Sequence, residues 1–159
     1  INAGLTLTNS TIKPLTPIIT SPSSRSLVSA AQLQVLGSVS GQNFTSYKVE
    51  FGAGRSPISW TLVTQSSTQV INGVLATVDT SNFADGLYII RLTATDTSGQ
   101  SYQYQIHDLT VDNFDAIIQF PLDFVSKGTL DILGTAQVKN ALSFSNYKID
   151  WGQGAAPTI

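Results

Sequence analysis

An internal repeat constrains the fold of this chain more than any other feature of its sequence. Residues 47–57 read YKVEFGAGRSP and residues 147–157 read YKIDWGQGAAP, with five of the eleven positions identical. Upstream, LQVLG at 33–37 returns as LDILG at 130–134. The two pairs are 100 and 97 residues apart, which a three-residue insertion between the blocks explains. Because about 100 residues is an ordinary domain size, this period predicts a tandem array of similar domains.

The repeat also predicts where one domain ends and the next begins. The sequence LTLTN at 5–9 is a weaker match to LTVDN at 109–113. We expect four segments: the last strand of a preceding repeat at 1–12, a linker at 13–17, a complete repeat at 18–113, and the first half of the next repeat at 114–159, truncated by the end of the chain. A free N-terminal strand unrelated to the repeat is the alternative for the first segment.

Composition excludes several classes of protein. Hydrophobic residues make up 42% of the chain and charged residues 11%, which is unlike a disordered protein. Glutamate occurs once, which disfavours long helices, and the eight lysines and arginines are scattered singly. Without a basic stripe no nucleic-acid partner is expected. Without an apolar run of about 18 residues no membrane-spanning helix is expected.

Alternating hydrophobicity predicts β-strands. The sequence YIIRLTAT at 88–95 places Tyr88, Ile90 and Leu92 on one face of a strand. A turn follows, in which Asp96 caps the turn and Gly99 supplies a positive φ. Other strands are predicted near residues 33–37 (ended by a break at Gly37), 47–51, 59–64, 74–80 (entered through a two-residue turn at Asn72-Gly73) and 102–107.

About seven short strands per repeat, with no helical period, predict an all-β fold and specifically an antiparallel β-sandwich. The apolar faces of these strands predict the core. Its expected members are Tyr47, Val49, Phe51, Tyr88, Ile90 and Leu92. The counterparts in the second copy, which would lack a facing sheet, are Leu130, Ile132, Tyr147, Ile149 and Trp151.

The sequence ADGLY at 84–88, leading into RLTATD at 91–96, resembles immunoglobulin-like and fibronectin-like modules. With YKVEFGAG at 47–54, Pro57, Trp60 and DTS at 79–81, the chain resembles tandem immunoglobulin-like repeats of large secreted bacterial and archaeal proteins, including regions downstream of subtilisin-like peptidase domains. The resemblance covers residues 18–159. It implies an extracellular or cell-surface setting and a corner-forming role for Tyr88, and it carries over no catalytic residue.

No catalytic residue and no cofactor are predicted for this segment. Cysteine is absent and histidine occurs once, as His107, which is expected to be an exposed strand residue. The sequence GSVSG at 37–41 has valine where a serine nucleophile elbow needs serine. The aromatic residues Phe51, Trp60 and Trp151 would suit sugar stacking, but the repeat position shared by Phe51 and Trp151 favours a core role. Asn9 and Asn43 fit the N-glycosylation pattern.

Calcium is the one metal that the sequence leaves open. Asp108, Asp112 and Asp115 surround the predicted junction after the complete repeat, and oxygen ligands there would stiffen an array. Asp79 with Asp85 is a second, loop-based candidate pair. Against the junction site, the N-terminal junction reads TNSTI at 8–12 and has no carboxylate. The competing interpretation for all five is turn capping and strand-edge solubility.

These observations favour a structural spacer of a large extracellular or cell-surface protein, without catalysis of its own. Two alternatives stay open: an adhesin or carbohydrate-binding module, and an accessory domain of a secreted subtilisin-like peptidase or other hydrolase. The expected partners are neighbouring repeats of the same polypeptide, with other copies of the chain or a surface polysaccharide as further possibilities.

Overall fold

The computed structural model describes residues 13–29, 31–120, 128–139 and 144–150. The described chain is nearly all-β, as predicted, and its one helical element is a 3-10 turn at Thr80–Asn82. No helix in these ranges has the length and apolar character to cross a membrane. The strands are β1 (Ile18–Ser21), β2 (Leu27–Val28), β3 (Gln32–Val39), β4 (Phe44–Ala53), β5 (Thr61–Ser66), β6 (Val70–Asp79), β7 (Gly86–Asp96), β8 (Ser101–Val111), β9 (Phe114–Phe120) and β10 (Leu133–Val138).

The strands form three sheets. A three-stranded antiparallel sheet has the order β1-β3-β6, and a five-stranded sheet has the order β2-β8-β7-β4-β5. The five-stranded sheet is antiparallel except for β2, which pairs in parallel with β8. Strands β9 and β10 form a separate antiparallel pair. The first stretch of chain therefore contributes β1 to one large sheet and β2 to the other.

The two larger sheets share one hydrophobic cluster. All six predicted core residues of the complete repeat are buried, which confirms the strand register derived from the sequence. Strands β3 and β6 supply Val35, Val39, Leu75 and Val78 to the same cluster. The Tyr47 hydroxyl, on β4, donates a hydrogen bond of 2.9 Å to the Leu75 carbonyl on β6 and so links the two sheets.

The expected corner at Tyr88 is present. Its ring is buried beside Phe51 and Phe83, with ring centroids 6.3 and 5.6 Å away. The Tyr88 hydroxyl donates to the Ala84 carbonyl at 2.9 Å, four residues upstream, where the chain enters β7. Burial raises the pKa of this phenol.

Two predictions about chain breaks were wrong. Strand β3 continues through Gly37, where a Cβ atom would lie 2.0 Å from the Ile18 carbonyl oxygen and 2.7 Å from Leu75 Cδ1. The glycine is therefore a point of close backbone approach between β1 and β3, because any side chain would push the strands apart.

Asn72-Gly73 is the second correction. These residues do not form a turn but lie inside β6, where Gly37 pairs with Gly73 and Val39 with Val70. The extra residue on β6 makes a β-bulge, and Asn72 adopts the left-handed region with φ 48°. Ser38 Oγ accepts from the Asn72 amide nitrogen at 2.8 Å and holds the bulge against β3.

The pair β9–β10 reproduces the geometry of β1–β3. Gly37 pairs with Ile19, and Gly134 pairs with Ile118. A Cβ atom on Gly134 would lie 2.3 Å from the Ile117 carbonyl oxygen, the same clash that Gly37 avoids with the carbonyl of Ile18. The sequence carries a matching signal outside the two repeated blocks, IITSP at 18–22 and IIQFP at 117–121.

The rest of the second copy is less regular than expected. Residues 144–150, the counterpart of β4, form no strand. Strand β4 pairs with β5 and β7, and the described residues beyond 120 contain no counterpart of either. The predicted core residues of this copy that lie in the described ranges are exposed: Leu130, Ile132, Tyr147 and Ile149. Trp151 and the segment 1–12 lie outside the described residues.

Replacing Leu92 by Ala should lower the free energy of unfolding by about 2–5 kcal/mol, because Leu92 is fully buried and the change leaves a cavity. Urea denaturation followed by tryptophan fluorescence measures this. The matched control is Leu62→Ala on β5, where the side chain is 54% exposed and the loss should be small. Equal losses in the two variants would contradict the assigned core.

Candidate functional site

The carboxylates suggested for calcium are held by protein groups, and they do not converge on one point. Asp108 Oδ1 accepts from Arg55 Nε at 2.9 Å. The arginine bond is the main reason that the pKa of Asp108 lies below its usual value. This ion pair joins the loop after β4 to β8 and involves neither of the other two junction aspartates.

Asp112 and Asp115 share one lysine. Lys139 Nζ lies 2.5 Å from Asp112 Oδ2 and 2.8 Å from Asp115 Oδ1. The bond from Lys139 lowers the pKa of Asp115, and the bond to Asp112 is the largest cause that raises the pKa of Lys139. The structure thus brings together two of the three predicted residues, with an ammonium group between them.

Asp79 and Asp85 have capping roles. Asp79 Oδ1 accepts from the Ser81 amide at 3.0 Å and caps the 3-10 turn. The Asp85 carboxylate accepts from the amides of Asn113 at 2.8 Å and Phe114 at 3.3 Å. Within the described ranges, no group of three or more His, Cys, Asp or Glu side chains could hold a metal ion. The calcium site stays a prediction that no contact supports.

Asn113 is the buried polar residue that sequence reasoning missed. It is 0% exposed, and its Nδ2 donates to the carbonyls of Thr80 and Phe83, each at 3.0 Å. These carbonyls belong to the segment between β6 and β7, where the chain passes from the three-stranded to the five-stranded sheet. The recurrence of asparagine at the end of LTLTN and LTVDN was the available signal.

We expect Asn113→Ala to lower the free energy of unfolding by about 1–3 kcal/mol, because the Phe83 carbonyl would lose its side-chain donor and the Thr80 carbonyl would keep its bond from Phe83 N but lose the one from Asn113. Chemical denaturation measures the change. Asn146→Ala, at an exposed position, is the matched control and should have little effect. If the two variants unfolded alike, the anchoring role of Asn113 would be refuted.

The outer face of the five-stranded sheet carries a charged cluster. Glu50 is buried and accepts from Lys48 Nζ at 2.9 Å and from Arg91 Nη2 at 2.9 Å. The Arg91 guanidinium lies 3.8 Å from the centroid of the Trp60 ring. One face of Trp60 is therefore covered by a cation, which leaves that face closed to a sugar.

Gly52 explains how Trp60 reaches this face. A Cβ atom there would lie 2.5 Å from Pro57 and 3.0 Å from Trp60 Cε3, so glycine allows the loop after β4 to fold back onto the sheet. Phe51, Gly52 and Pro57 recur in the second copy as an aromatic residue, a glycine and a proline at 151, 152 and 157. The repeat motif is thus a packing motif in the copy that the structure describes.

The turn at 96–99 forms as predicted. Asp96 Oδ1 accepts from the Ser98 amide at 2.9 Å, Ser98 Oγ at 2.6 Å and the Gln100 amide at 3.0 Å, and Gly99 has φ 84°. Asp96 Oδ2 accepts from the Tyr102 hydroxyl at 3.2 Å. The bond from Ser98 is the largest cause that lowers the pKa of Asp96.

Acid should destabilise the chain through these carboxylates. Asp79, Asp96, Asp108 and Asp115 all have folded pKa values below the unfolded value. Their stabilisation is therefore present above the unfolded pKa of about 3.9 and is lost as pH falls through the folded values. Urea denaturation between about pH 5 and pH 2 should show this decrease.

Asp96→Asn should weaken that pH dependence, since it removes one of the responsible carboxylates, whereas Asp131→Asn at an exposed position serves as the control. A pH profile of Asp96→Asn identical to that of the unsubstituted chain would contradict the role assigned to the turn.

The remaining candidate positions show no reactive arrangement in the described ranges. His107 is exposed on β8, as predicted. Two surface concavities have volumes of about 460 and 260 Å³. Asp79 is the only titratable side chain that lines either of them, so neither presents a paired acid and base.

Comparison with known proteins identifies no relative by sequence. No family model matches the chain, and no curated protein matches it. Among solved structures, the crystal structure of an engineered protein aligns with 62% of this chain at 19% identity and a TM-score of 0.42. The alignment spans 20% of that protein's length.

Proposed function

We propose that this chain is a non-catalytic structural spacer, built from tandem immunoglobulin-like β-sandwich domains, in a large extracellular or cell-surface protein. The observation that carries the proposal is the repeated strand pair. Strands β1–β3 and β9–β10 share both their antiparallel pairing and the contact of a glycine with a strand carbonyl. A second copy of this pair directly after the first unit is what a tandem array requires.

Three features support the immunoglobulin-like assignment. The two larger sheets share one core, as the layers of a sandwich do. Residues 18–111 hold eight strands, of which β1 and β2 are short consecutive pieces on two sheet edges, close to the seven of this fold. The hydrogen bond from Tyr88 to the Ala84 carbonyl has the geometry of a tyrosine corner.

The connection between the two units supports a spacer. Strand β8 ends at Val111 and β9 begins at Phe114, so two residues separate them. Both residues are hydrogen-bonded: Asp112 N donates to the Val28 carbonyl at 2.9 Å, and Asn113 N donates to Asp85 Oδ1 at 2.8 Å. A short, bonded connection holds neighbouring units at a set spacing, which a mechanical spacer needs and a flexible linker does not give.

Single-molecule force spectroscopy of the whole chain tests the proposal. We expect one cooperative unfolding event that releases residues 18–111, a contour-length gain of roughly 300 Å at about 3.3–3.6 Å per residue. The Leu92→Ala variant should unfold at lower force and Leu62→Ala should not. Gradual extension without a force peak would overturn the spacer proposal.

The carbohydrate-binding alternative gives a separate result. Calorimetric titration with neutral polysaccharides should show no heat of binding if the chain is a spacer alone. Saturable binding that is lost in Trp60→Ala would overturn the proposal in favour of a binding module.

A further inference from the structure

We propose that Lys139 acts as an internal cation that fixes the orientation of the β9–β10 pair relative to the preceding unit. The clamp would be specific to this joint of the chain. The inference concerns the joint itself and does not require that the chain serve as a spacer.

Lys139 contacts both sides of the joint. Asp112 follows the last strand of the first unit, and its amide is bonded to Val28 on β2. Asp115 is the second residue of β9, and Lys139 follows β10 directly. The ammonium group therefore connects a carboxylate fixed to the five-stranded sheet with a carboxylate of the next strand pair.

The backbone around Lys139 is bonded as well. Its amide donates to the Asn113 carbonyl at 2.8 Å, and the Asn113 side chain is anchored to Thr80 and Phe83 in the first unit. The end of β10 is thus tied to the residues that follow β8 by one backbone bond and one ion pair, Lys139–Asp112, while the Lys139–Asp115 pair holds the ammonium group to β9. A pivot about the two connecting residues would have to break the bonds to the residues that follow β8.

The charged side chains of the clamp are less exposed than those of another ion pair in the same chain. The Lys139 side chain is 25% exposed, and those of Asp112 and Asp115 are 27% and 26% exposed. Partial shielding from water strengthens charge pairs relative to fully exposed ones. Lys148 and Asp150, 2.8 Å apart with the lysine 78% exposed, are an exposed pair in the same chain.

The repeat shows that the charges change together. The match of LTVDN to LTLTN aligns Asp112 with Thr8, the match of IIQFP to IITSP aligns Asp115 with Thr16, and the 97-residue offset aligns Lys139 with Gln42. All three charged residues are aligned with neutral residues in the other copy. This matched replacement is expected if the three charges act as a unit, since one charge alone would be left uncompensated.

Distance measurement between two spin labels tests the clamp. Because the chain has no cysteine, labels can be placed on Gln103→Cys in β8 and Gln119→Cys in β9, both exposed positions. Double electron–electron resonance of the whole chain should give one narrow distance distribution. Lys139→Gln should at least double its width, and the matched control Lys148→Gln should leave it unchanged.

A second variant distinguishes the loss of the two ion pairs from repulsion between Asp112 and Asp115, which Lys139→Gln leaves without a cation between them. Asp112→Asn combined with Asp115→Asn keeps Lys139 but removes both ion pairs, so it should also broaden the distribution. An unchanged width in this variant, or in Lys139→Gln, would overturn the proposal. A distribution already broad in the unsubstituted chain would overturn it too, while the force measurement would still decide the spacer assignment.

Discussion

The hydrogen bonds of Asn113 are the interaction on which the arrangement of this chain most depends. Its side chain satisfies the carbonyls of Thr80 and Phe83 where the chain passes between the two larger sheets. Its backbone carbonyl accepts from the Lys139 amide, directly after β10, and its backbone N–H donates to the Asp85 carboxylate, directly before β7. One buried residue therefore bonds to the segment between β6 and β7 and to the residue that follows β10, and the loss of its buried side-chain bonds would be costly.

The distribution of charge is consistent with this arrangement. Only 11% of the residues are charged. Several ion pairs in the described ranges connect separate elements or hold a side chain in place. Glu50 and Arg91 hold Trp60 on the outer sheet face, Arg55 and Asp108 join a loop to β8, and Lys139 bridges the joint. The aspartates that resemble metal ligands in the sequence are used as caps and as partners of cations.

The glycines differ in whether the local sequence predicts their structural role. Gly99 lies in the turn that its sequence predicts, because Asp96 and Ser98 supply the turn's own hydrogen bonds within a few residues. Gly37 and Gly73 do not interrupt their strands, because each faces a partner strand that is distant in sequence. The repeated contact at Gly134 shows that the same requirement for close approach recurs in the second copy.

The sequence by itself determined the all-β class, the strand register of the core and the period of the repeat. Alternation and repetition are properties of short stretches, and burial of one apolar face leaves a single register. The tertiary structure decided that Asn72 lies in a bulge, that Asn113 is a buried anchor, and that Lys139 lies between two aspartates. Those outcomes depend on partners 34, 33 and 27 residues away, and no local pattern specifies which distant groups meet.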